Sequence, residues 1–174
     1  MSAFCALCAL LLGIHSSGAS AGASVQRCQG IPVTIDSTGG DDRIVGTIAD
    51  DIIDGGDGFD QIRGRGGDDL ICGGSGGDFI IGGGGEDAID GGRATDLILG
   101  GGDNDALAGA SGDDYLAGGR GRDVVRGGAG GRDQVNGDDG PDHLEGEAGS
   151  HDSCDGGDGT DNFSKTCEFF RGFP

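Results

Sequence analysis

Hydrophobic and polar positions alternate along most of this chain with a period of nine residues. In the unit 55–63, a glycine stands first, an aspartate sixth and an aliphatic residue eighth. Such units follow one another from residue 37 to residue 164, and every unit after the first begins with glycine. A strand at positions seven to nine points its middle side chain to one face and its neighbours to the other. The pattern therefore predicts a repeating all-β fold whose eighth positions face inward.

The predicted core is a single column of side chains, one from each of fourteen units. Its members are Ile44, Ile53, Ile62, Ile71, Ile80, Ile89, Ile98, Leu107, Leu116, Val125, Val135, Leu144, Cys154 and Phe163. One extra residue near 127–133 and another near 146–152 shift the phase of the repeat without breaking it. The seventh and ninth positions should face solvent.

An aspartate holds the sixth position of every unit and is the candidate site residue of the repeat. These residues are Asp42, Asp51, Asp60, Asp69, Asp78, Asp87, Asp96, Asp105, Asp114, Asp123, Asp133, Asp142, Asp152 and Asp161. Aspartate supplies a hard, anionic oxygen, and the glycines beside it permit the positive φ angles of a tight turn. Such a turn can present carboxylate and carbonyl oxygens together.

The consensus Gly-Gly-x-Gly-x-Asp-x-(aliphatic)-x resembles the nonapeptide of RTX, or hemolysin-type, calcium-binding repeat proteins. The resemblance implies a parallel β-roll, a right-handed β-solenoid with two units per coil, about seven coils, six-residue turns and three-residue strands. It also implies that Ca²⁺ lies between turns two units apart, held by the sixth-position aspartates and by turn carbonyls. Pairing each aspartate with the one two units on, from Asp42 with Asp60 to Asp142 with Asp161, allows at most about twelve sites.

The turns differ in how well they match this consensus. The best matches lie at 55–60, 64–69, 73–78 and 82–87. Others carry Ala94 or Asp103 at the fourth position. We expect weaker sites there, and distorted or empty sites at the two insertions. The alternative is that the acidic turns only keep the surface solvated.

The composition favours a cation as the partner. With 31 Asp and Glu against 11 Lys and Arg, the formal net charge is −20, and 43 of the 174 residues are glycine. This charge argues against nucleic acid and against anionic membranes as partners, because both attract basic surfaces. Winding brings rows of carboxylates together, and their repulsion opposes folding. We therefore expect a largely unfolded metal-free chain that folds on binding calcium.

The sequence outside the repeats predicts export. Residues 4–14 form an apolar run of signal-peptide length, too short to span a bilayer. Small residues at 19–21 match a cleavage site, with 21–23 as the alternative. The expected organisation is a signal peptide at 1–21, an N-terminal cap at 22–36, the roll at 37–164 and a C-terminal cap or tail at 165–174. A secreted, extracellular protein follows. A buried N-terminus, or an uncleaved export signal in the tail, is the alternative.

Four cysteines remain once the signal segment is removed: Cys28, Cys72, Cys154 and Cys167. They allow three pairings, and an even number in an exported protein favours disulfides. We predict Cys28–Cys72 and Cys154–Cys167, one at each end of the repeat array. Cys154 holds an inward eighth position, and the tail with Cys167 can fold back over the open end. Stacks of repeats need such caps. The wide spacing of the cysteines disfavours a zinc site.

Outward residues eighteen apart should stack on one face of the roll. This places Phe79, Leu97 and Tyr115 in one column and Ile81 and Leu99 in the next. The resulting apolar patch predicts a contact surface for a partner or for a second copy of the chain. Simple strand propensity at exposed positions is the alternative.

The motifs do not favour an enzyme. Residues 73–77 match G-x-S-x-G, but that motif requires a strand-to-helix turn with a downstream His and Asp. No H-E-x-x-H occurs. We expect an extracellular, non-enzymatic calcium-ion-binding protein. Two alternatives stay open: a structural or adhesive surface rod that binds a partner through the apolar patch, and a fragment of a larger RTX enzyme or toxin.

Overall fold

The computed structural model describes residues 27–149, 151–164, 166–167 and 169–171, and the regular elements within them are all β-strands. The strands are β1 (Arg27–Cys28), β2 (Ile31–Pro32), β3 (Ile35–Asp36), β4 (Arg43–Val45), β5 (Ile52–Asp54), β6 (Gln61–Gly66), β7 (Leu70–Ser75), β8 (Phe79–Gly84), β9 (Ala88–Arg93), β10 (Leu97–Gly102), β11 (Ala106–Gly112), β12 (Tyr115–Arg120), β13 (Val124–Gly130), β14 (Gln134–Asp139), β15 (His143–Ala148), β16 (Ser153–Asp155), β17 (Asn162–Phe163) and β18 (Phe169–Arg171). The predicted signal peptide at 1–21 lies outside the described residues.

Two parallel sheets of eight strands each form the body of the molecule. The even sheet contains the even-numbered strands from β4 to β18, and the odd sheet contains the odd-numbered strands from β3 to β17. Each strand pairs with the strand two places later in the chain, as Leu97 does with Tyr115, 18 residues on. Eighteen residues are two units, so each coil contains two units. The predicted β-roll of about 7 coils is confirmed.

Strands β4, β5 and β16 have the three residues that the family resemblance implies, whereas β6 to β15 are longer. Strands β6 to β10 are six residues each, and their pairing continues into the first three positions of the next unit. On β10, for example, Gly101 pairs with Gly119 after the break at the first position. The glycines at second positions adopt φ values that other residues avoid, such as 125° at Gly101. The chain therefore stays in register while it begins to turn.

The core is the column predicted from the eighth positions. Every member from Ile44 to Cys154 is buried, and Phe163 packs against the end of the column half-buried. Burying each of these side chains contributes roughly 1.5–3 kcal/mol. The neighbouring seventh and ninth positions are mostly exposed or half-buried, as predicted. Leu70 and Ala117 are exceptions, at 4% and 9% exposed. Leu70 stands on β7, which the N-terminal hairpin contacts through β1.

Short elements close both ends of the roll. Strands β1 and β2 form an antiparallel hairpin, and β3 joins the odd sheet in phase with the repeats. At the other end, within the predicted C-terminal cap or tail, β18 pairs with β16 and adds a strand to the even sheet. The described residues contain no helix with the length and hydrophobicity that a membrane crossing requires.

Both predicted disulfides are present. Cys28 is bonded to Cys72 with their Cα atoms 5.6 Å apart, and Cys154 to Cys167 with 5.7 Å. These separations are normal for a disulfide. The first ties the hairpin to the odd sheet, and the second ties the tail to the even sheet. Each end of the roll is therefore covalently capped.

Candidate metal sites in the turns

Winding gathers the fourteen sixth-position aspartates into two columns, because successive units turn on opposite sides of the roll. The first column contains Asp42, Asp60, Asp78, Asp96, Asp114, Asp133 and Asp152. The second contains Asp51, Asp69, Asp87, Asp105, Asp123, Asp142 and Asp161. All of them are buried except Asp42 and Asp161, which are half-buried at the two ends. The structure thus brings the whole predicted set together.

In every aspartate after the first of each column, one carboxylate oxygen is used in a ladder between coils. The backbone N–H of Asp78 donates to Oδ1 of Asp96 at 2.7 Å, and the N–H of Asp96 donates to Oδ1 of Asp114 at 2.8 Å. The same bond joins every predicted pair in both columns. Residues two units apart are therefore in direct contact, as the repeat predicts.

The second carboxylate oxygen is buried without a hydrogen-bond partner in most units. The Oδ2 atoms in this state belong to Asp60, Asp69, Asp78, Asp87, Asp96, Asp105, Asp114, Asp123, Asp133, Asp142 and Asp161. A buried, unpaired polar atom is strongly unfavourable, and more so when it carries charge. A cation beside this oxygen removes the penalty. The repeated orphan oxygen is the strongest structural indication of a metal.

The first-position glycine leaves room for this oxygen. A β-carbon added to Gly55 would lie 2.8 Å from Oδ2 of Asp60 and would collide with the carbonyl oxygen of Gly73 in the next coil. Gly82 is placed in the same way against Asp87 and the carbonyl oxygen of Gly100. Any other residue at this position would fill the space between carboxylate and carbonyl. The glycine therefore keeps the oxygen atoms of adjacent coils close together.

Positive φ angles at the second and fourth positions shape the turns. Gly74 and Gly76 have φ values of 108° and 120°. Ala94 and Asp103, which the sequence marks as weaker fourth positions, adopt the same left-handed backbone with φ values of 76° and 72°. These two turns therefore keep their shape, at the cost of strain in residues with a β-carbon.

Burial raises the pKa of the ten column carboxyl groups from Asp60 to Asp142, because the charged form loses its water. The backbone N–H bond lowers the pKa in part, and neighbouring carboxylates raise it further. The pKa is about 8 for Asp96 and Asp105 near the middle of the roll. It is about 6 for Asp69 and Asp123. The columns therefore favour a cation or a proton at neutral pH.

The donor set fits calcium. The column side chains offer only oxygen, which hard cations prefer, whereas zinc sites use nitrogen and sulfur. In the described part of the chain, no three His, Cys, Asp or Glu side chains form a group that could hold a metal. An ion in a column must therefore complete its shell with turn carbonyls. Calcium accepts six to eight oxygens, backbone carbonyls included.

In the first aspartate of each column, the second carboxylate oxygen accepts hydrogen bonds from the protein. The N–H and Oγ1 of Thr38 both donate to Oδ2 of Asp42 at 2.8 Å, and the N–H of Thr47 donates to Oδ2 of Asp51 at 2.7 Å. The repeat pattern predicts Asp42 and Asp51 as metal ligands equivalent to the other sixth-position aspartates. Their second oxygen already has a protein partner. The sequence signal is threonine at the second position instead of glycine.

The two insertions do not interrupt the aspartate ladder. The N–H of Asp114 donates to Oδ1 of Asp133 at 3.0 Å, and the N–H of Asp133 donates to Oδ1 of Asp152 at 3.1 Å. The extra residue near 127–133 lies after β13, because Gly112 still pairs with Gly130, 18 residues on, whereas Asp114 bonds to Asp133, 19 residues on. The predicted distortion therefore does not reach the carboxylates.

A second ladder of hydrogen bonds joins the fifth positions of successive coils, and the sequence analysis did not predict it. The N–H of Phe59 donates to Oδ1 of Asp41 at 2.9 Å, and the N–H of Asp68 donates to Oδ1 of Asp50 at 2.9 Å. Arg122 makes the same bond to Asn104. Here the side chain accepts from the following coil, opposite in sense to the sixth positions. Recurrent Asp and Asn at fifth positions were the available signal.

The fold and these columns define the class: a parallel β-roll with oxygen-lined turns between coils. The model of the RTX calcium-binding nonapeptide repeat family matches the chain at residues 36–71, 45–80, 63–98, 73–107, 99–131 and 128–163. These segments together span residues 36–163, about three quarters of the chain. The chain therefore belongs to this family and carries calcium-binding repeats. No curated protein matches it.

Proposed function

We propose that the protein is an extracellular, non-enzymatic calcium-binding protein whose roll folds when Ca²⁺ enters the two aspartate columns. One observation carries this proposal: eleven column aspartates have a buried Oδ2 without a protein partner. Hydrophobic burial in a single-file core must overcome both chain entropy and the repulsion of stacked carboxylates. Bound calcium supplies positive charge between those carboxylates, so that binding energy becomes folding energy.

The ligands follow from the columns. The Oδ2 atoms of neighbouring column members, with carbonyl oxygens of the same turns, would hold each ion. Asp42 and Asp51 contribute least, because Thr38 and Thr47 already occupy their second oxygen. The units 55–63 to 82–90 combine glycine-rich turns with orphan oxygens. They should bind calcium most tightly.

Two features support an extracellular setting. RTX repeat proteins are typically secreted, and both ends of this roll carry disulfides, which persist in oxidising compartments. Calcium sites of extracellular modules work at roughly 10⁻⁴–10⁻³ M. A chain of this kind would stay open where calcium is scarce and close where it is abundant.

A role without catalysis is consistent with the position of the G-x-S-x-G match. Ser75 ends strand β7 inside the roll, and Gly76 and Gly77 begin an ordinary repeat turn. The next element is strand β8, whereas a nucleophile elbow leads into a helix. We infer that this serine acts as a turn residue.

Circular dichroism combined with calorimetric titration tests the proposal. The full chain, freed of metal, should show little β-structure and should gain it on addition of CaCl₂, with heat released over several ions. MgCl₂ at the same concentration is the control and should have a much smaller effect, because Mg²⁺ gives up its water reluctantly. An identical β-sheet spectrum in chelator and in calcium would contradict the proposal.

A further inference from the structure

The outward face of the even sheet is polarised in charge along the axis of the roll. At its N-terminal end stand three exposed arginines, Arg43 on β4 and Arg63 and Arg65 on β6. Toward its C-terminal end the exposed Asp138 and Asp139 stand on β14, two strands before the terminal strand β18, which carries Arg171. Strands β4, β6, β8, β10 and β12 contain no acidic residue, in a chain with 31 of them. This basic end is therefore a local exception on an acidic molecule.

Between the two charged ends lies the apolar patch. The register places Leu97 opposite Phe79 on one side and opposite Tyr115 on the other. Ile81 and Leu99 are paired in the same way beside them. Leu97 is 37% exposed and Tyr115 39%. The predicted columns are thus confirmed, and the patch occupies the centre of the face.

The charges at the two ends are at most weakly paired within the part of the chain that the structure describes. Among the described residues, no ion pair joins Arg43, Arg63 or Arg65 to a carboxylate. At the other end, burial and then the charges of Asp139 and Asp155 raise the pKa of Asp138. The exposed Arg120 approaches Asp139 only to 3.8 Å. Surface pairs of this kind contribute little.

The basic and acidic ends of this face lie on opposite sides of strand β10, so that two copies of the face can be complementary in charge. In the even sheet, β6 lies two strands to one side of β10 and β14 lies two strands to the other. A two-fold axis that runs parallel to β10 and lies between the two facing sheets would therefore set β6 of one copy against β14 of the other. Basic ends would meet acidic ends twice, and Phe79 would lie near Tyr115 of the second copy. Two-fold dimers use such self-complementary surfaces.

We propose that the even-sheet face binds a second copy of this chain in an antiparallel, face-to-face dimer. The proposal rests on the proposed function, because the face exists only in the folded roll. Bound calcium also offsets the net charge of −20 that would keep two copies apart. From β4 to β16 the face measures roughly 29 by 20 Å, from strand spacing and rise. That is on the order of 600 Å² per copy, near the ~800 Å² of a typical specific interface.

The first test places a charge at the centre of the patch. Sedimentation equilibrium of the full chain in saturating calcium should show a dimer at about 100 µM protein, and Leu97→Asp should weaken association by about 100-fold. The matched control is Val124→Asp, at the seventh position on the odd sheet, which should leave the dimer intact. A wild-type roll that is folded but monomeric would overturn the proposal, as would an unchanged dimer in Leu97→Asp.

The second test uses the two charged ends. Arg63→Glu with Arg65→Glu should yield a monomer, because like charges then meet at both ends of the interface. Asp138→Arg with Asp139→Arg should also yield a monomer. Arg65 shows that arginine is tolerated at a second position with positive φ. An equimolar mixture of the two variants should form a heterodimer, since each end then meets its opposite. A mixture that stays monomeric would overturn the antiparallel arrangement.

Circular dichroism in calcium separates the two proposals. A chain that stays unfolded in calcium contradicts the proposed function. A chain that folds in calcium but does not dimerise contradicts only the dimer. The wild-type protein and the mixed variants decide this even if Leu97→Asp fails to fold.

Discussion

At the scale of single residues, the first-position glycine and the sixth-position aspartate of a unit together shape the candidate metal site. The glycine has no side chain, so the carboxylate of its own unit and a carbonyl of the next coil can both approach it. The aspartate uses one oxygen for the coil before it and keeps the other oriented toward this space. Neither residue can be changed without affecting its partner.

Gly82→Ala should therefore abolish calcium binding locally and destabilise the roll. The new methyl group would contact Asp87 and lie 2.8 Å from the carbonyl oxygen of Gly100. Overpacking of this kind costs about 1–3 kcal/mol. Gly84→Ala on the same strand is the control, because nothing lies within 4 Å of its added carbon. Calcium titration and thermal unfolding in calcium should distinguish the two. Equal effects would contradict the role given to the first position.

Asp96→Asn should have opposite effects with and without calcium. The amide keeps an acceptor for the N–H of Asp78 but removes a buried charge and one ligand oxygen. We expect greater stability in chelator and lower stability and fewer bound ions in calcium. Asp113→Asn, at an exposed fifth position, is the control and should change neither. Circular dichroism measures the folded fraction in chelator, and thermal unfolding measures the stability in calcium. Loss of stability under both would indicate a purely structural aspartate.

At the scale of elements, the roll depends on its ends, because an open coil exposes the core column. The tail meets this need through β18, which pairs with β16, and through Cys167, which is buried beside Cys154. The hairpin does so at the other end through Cys28. These caps hold coils that have a neighbour on only one side.

Replacing Cys154 by Val and Cys167 by Ser tests the C-terminal cap. Valine keeps an apolar residue at the eighth position, so the core column remains continuous. Loss of a disulfide across 13 residues should cost about 3 kcal/mol. Hydrogen exchange in calcium should show early loss of protection in β16 and β18, with β8 and β10 unchanged. Undiminished protection of β16 and β18 would show that the disulfide does not hold the cap.

Much of the architecture could be predicted before any coordinates. The inward column follows from a fixed period, because identical units stack identically. The resemblance to the RTX family implied the two-unit coil and the pairing of aspartates, and the need to cap both ends of the array predicted the two disulfides. The length of the strands could not, because continued pairing through glycines depends on the neighbouring coil. The hydrogen bonds from Thr38 and Thr47 to the first aspartate of each column were also not predicted, because they depend on where the column ends.

At the scale of the whole molecule, the two columns concentrate negative charge along the length of the roll, and their state of protonation controls its stability. The folded pKa values of about 6 to 8, from Asp78 to Asp96, exceed the ordinary value of 3.8. A group with a raised folded pKa stabilises the fold fully below its unfolded pKa. That contribution is lost as the pH rises through the folded value.

The metal-free roll should therefore be more stable at pH 4 than at pH 8, with the loss spread between those values. In calcium the dependence should reverse, because protons compete with the ion for the same carboxylates. Circular dichroism measures the folded fraction in metal-depleted buffer at pH 4 and pH 8, and thermal unfolding measures the stability in calcium at the same two pH values. Greater metal-free stability at pH 8 would contradict the burial of unpaired carboxylates.

The sequence by itself determined which side chain of each unit is buried and which aspartate stands in each turn, because both recur at fixed positions of a nine-residue period. Tertiary structure alone decided the direction of each carboxylate oxygen and the distribution of charge on the even sheet. Both depend on which residues meet across coils, eighteen or nineteen positions apart. The repeat determines which residues each unit contains, whereas the stacking of coils determines which residues they contact.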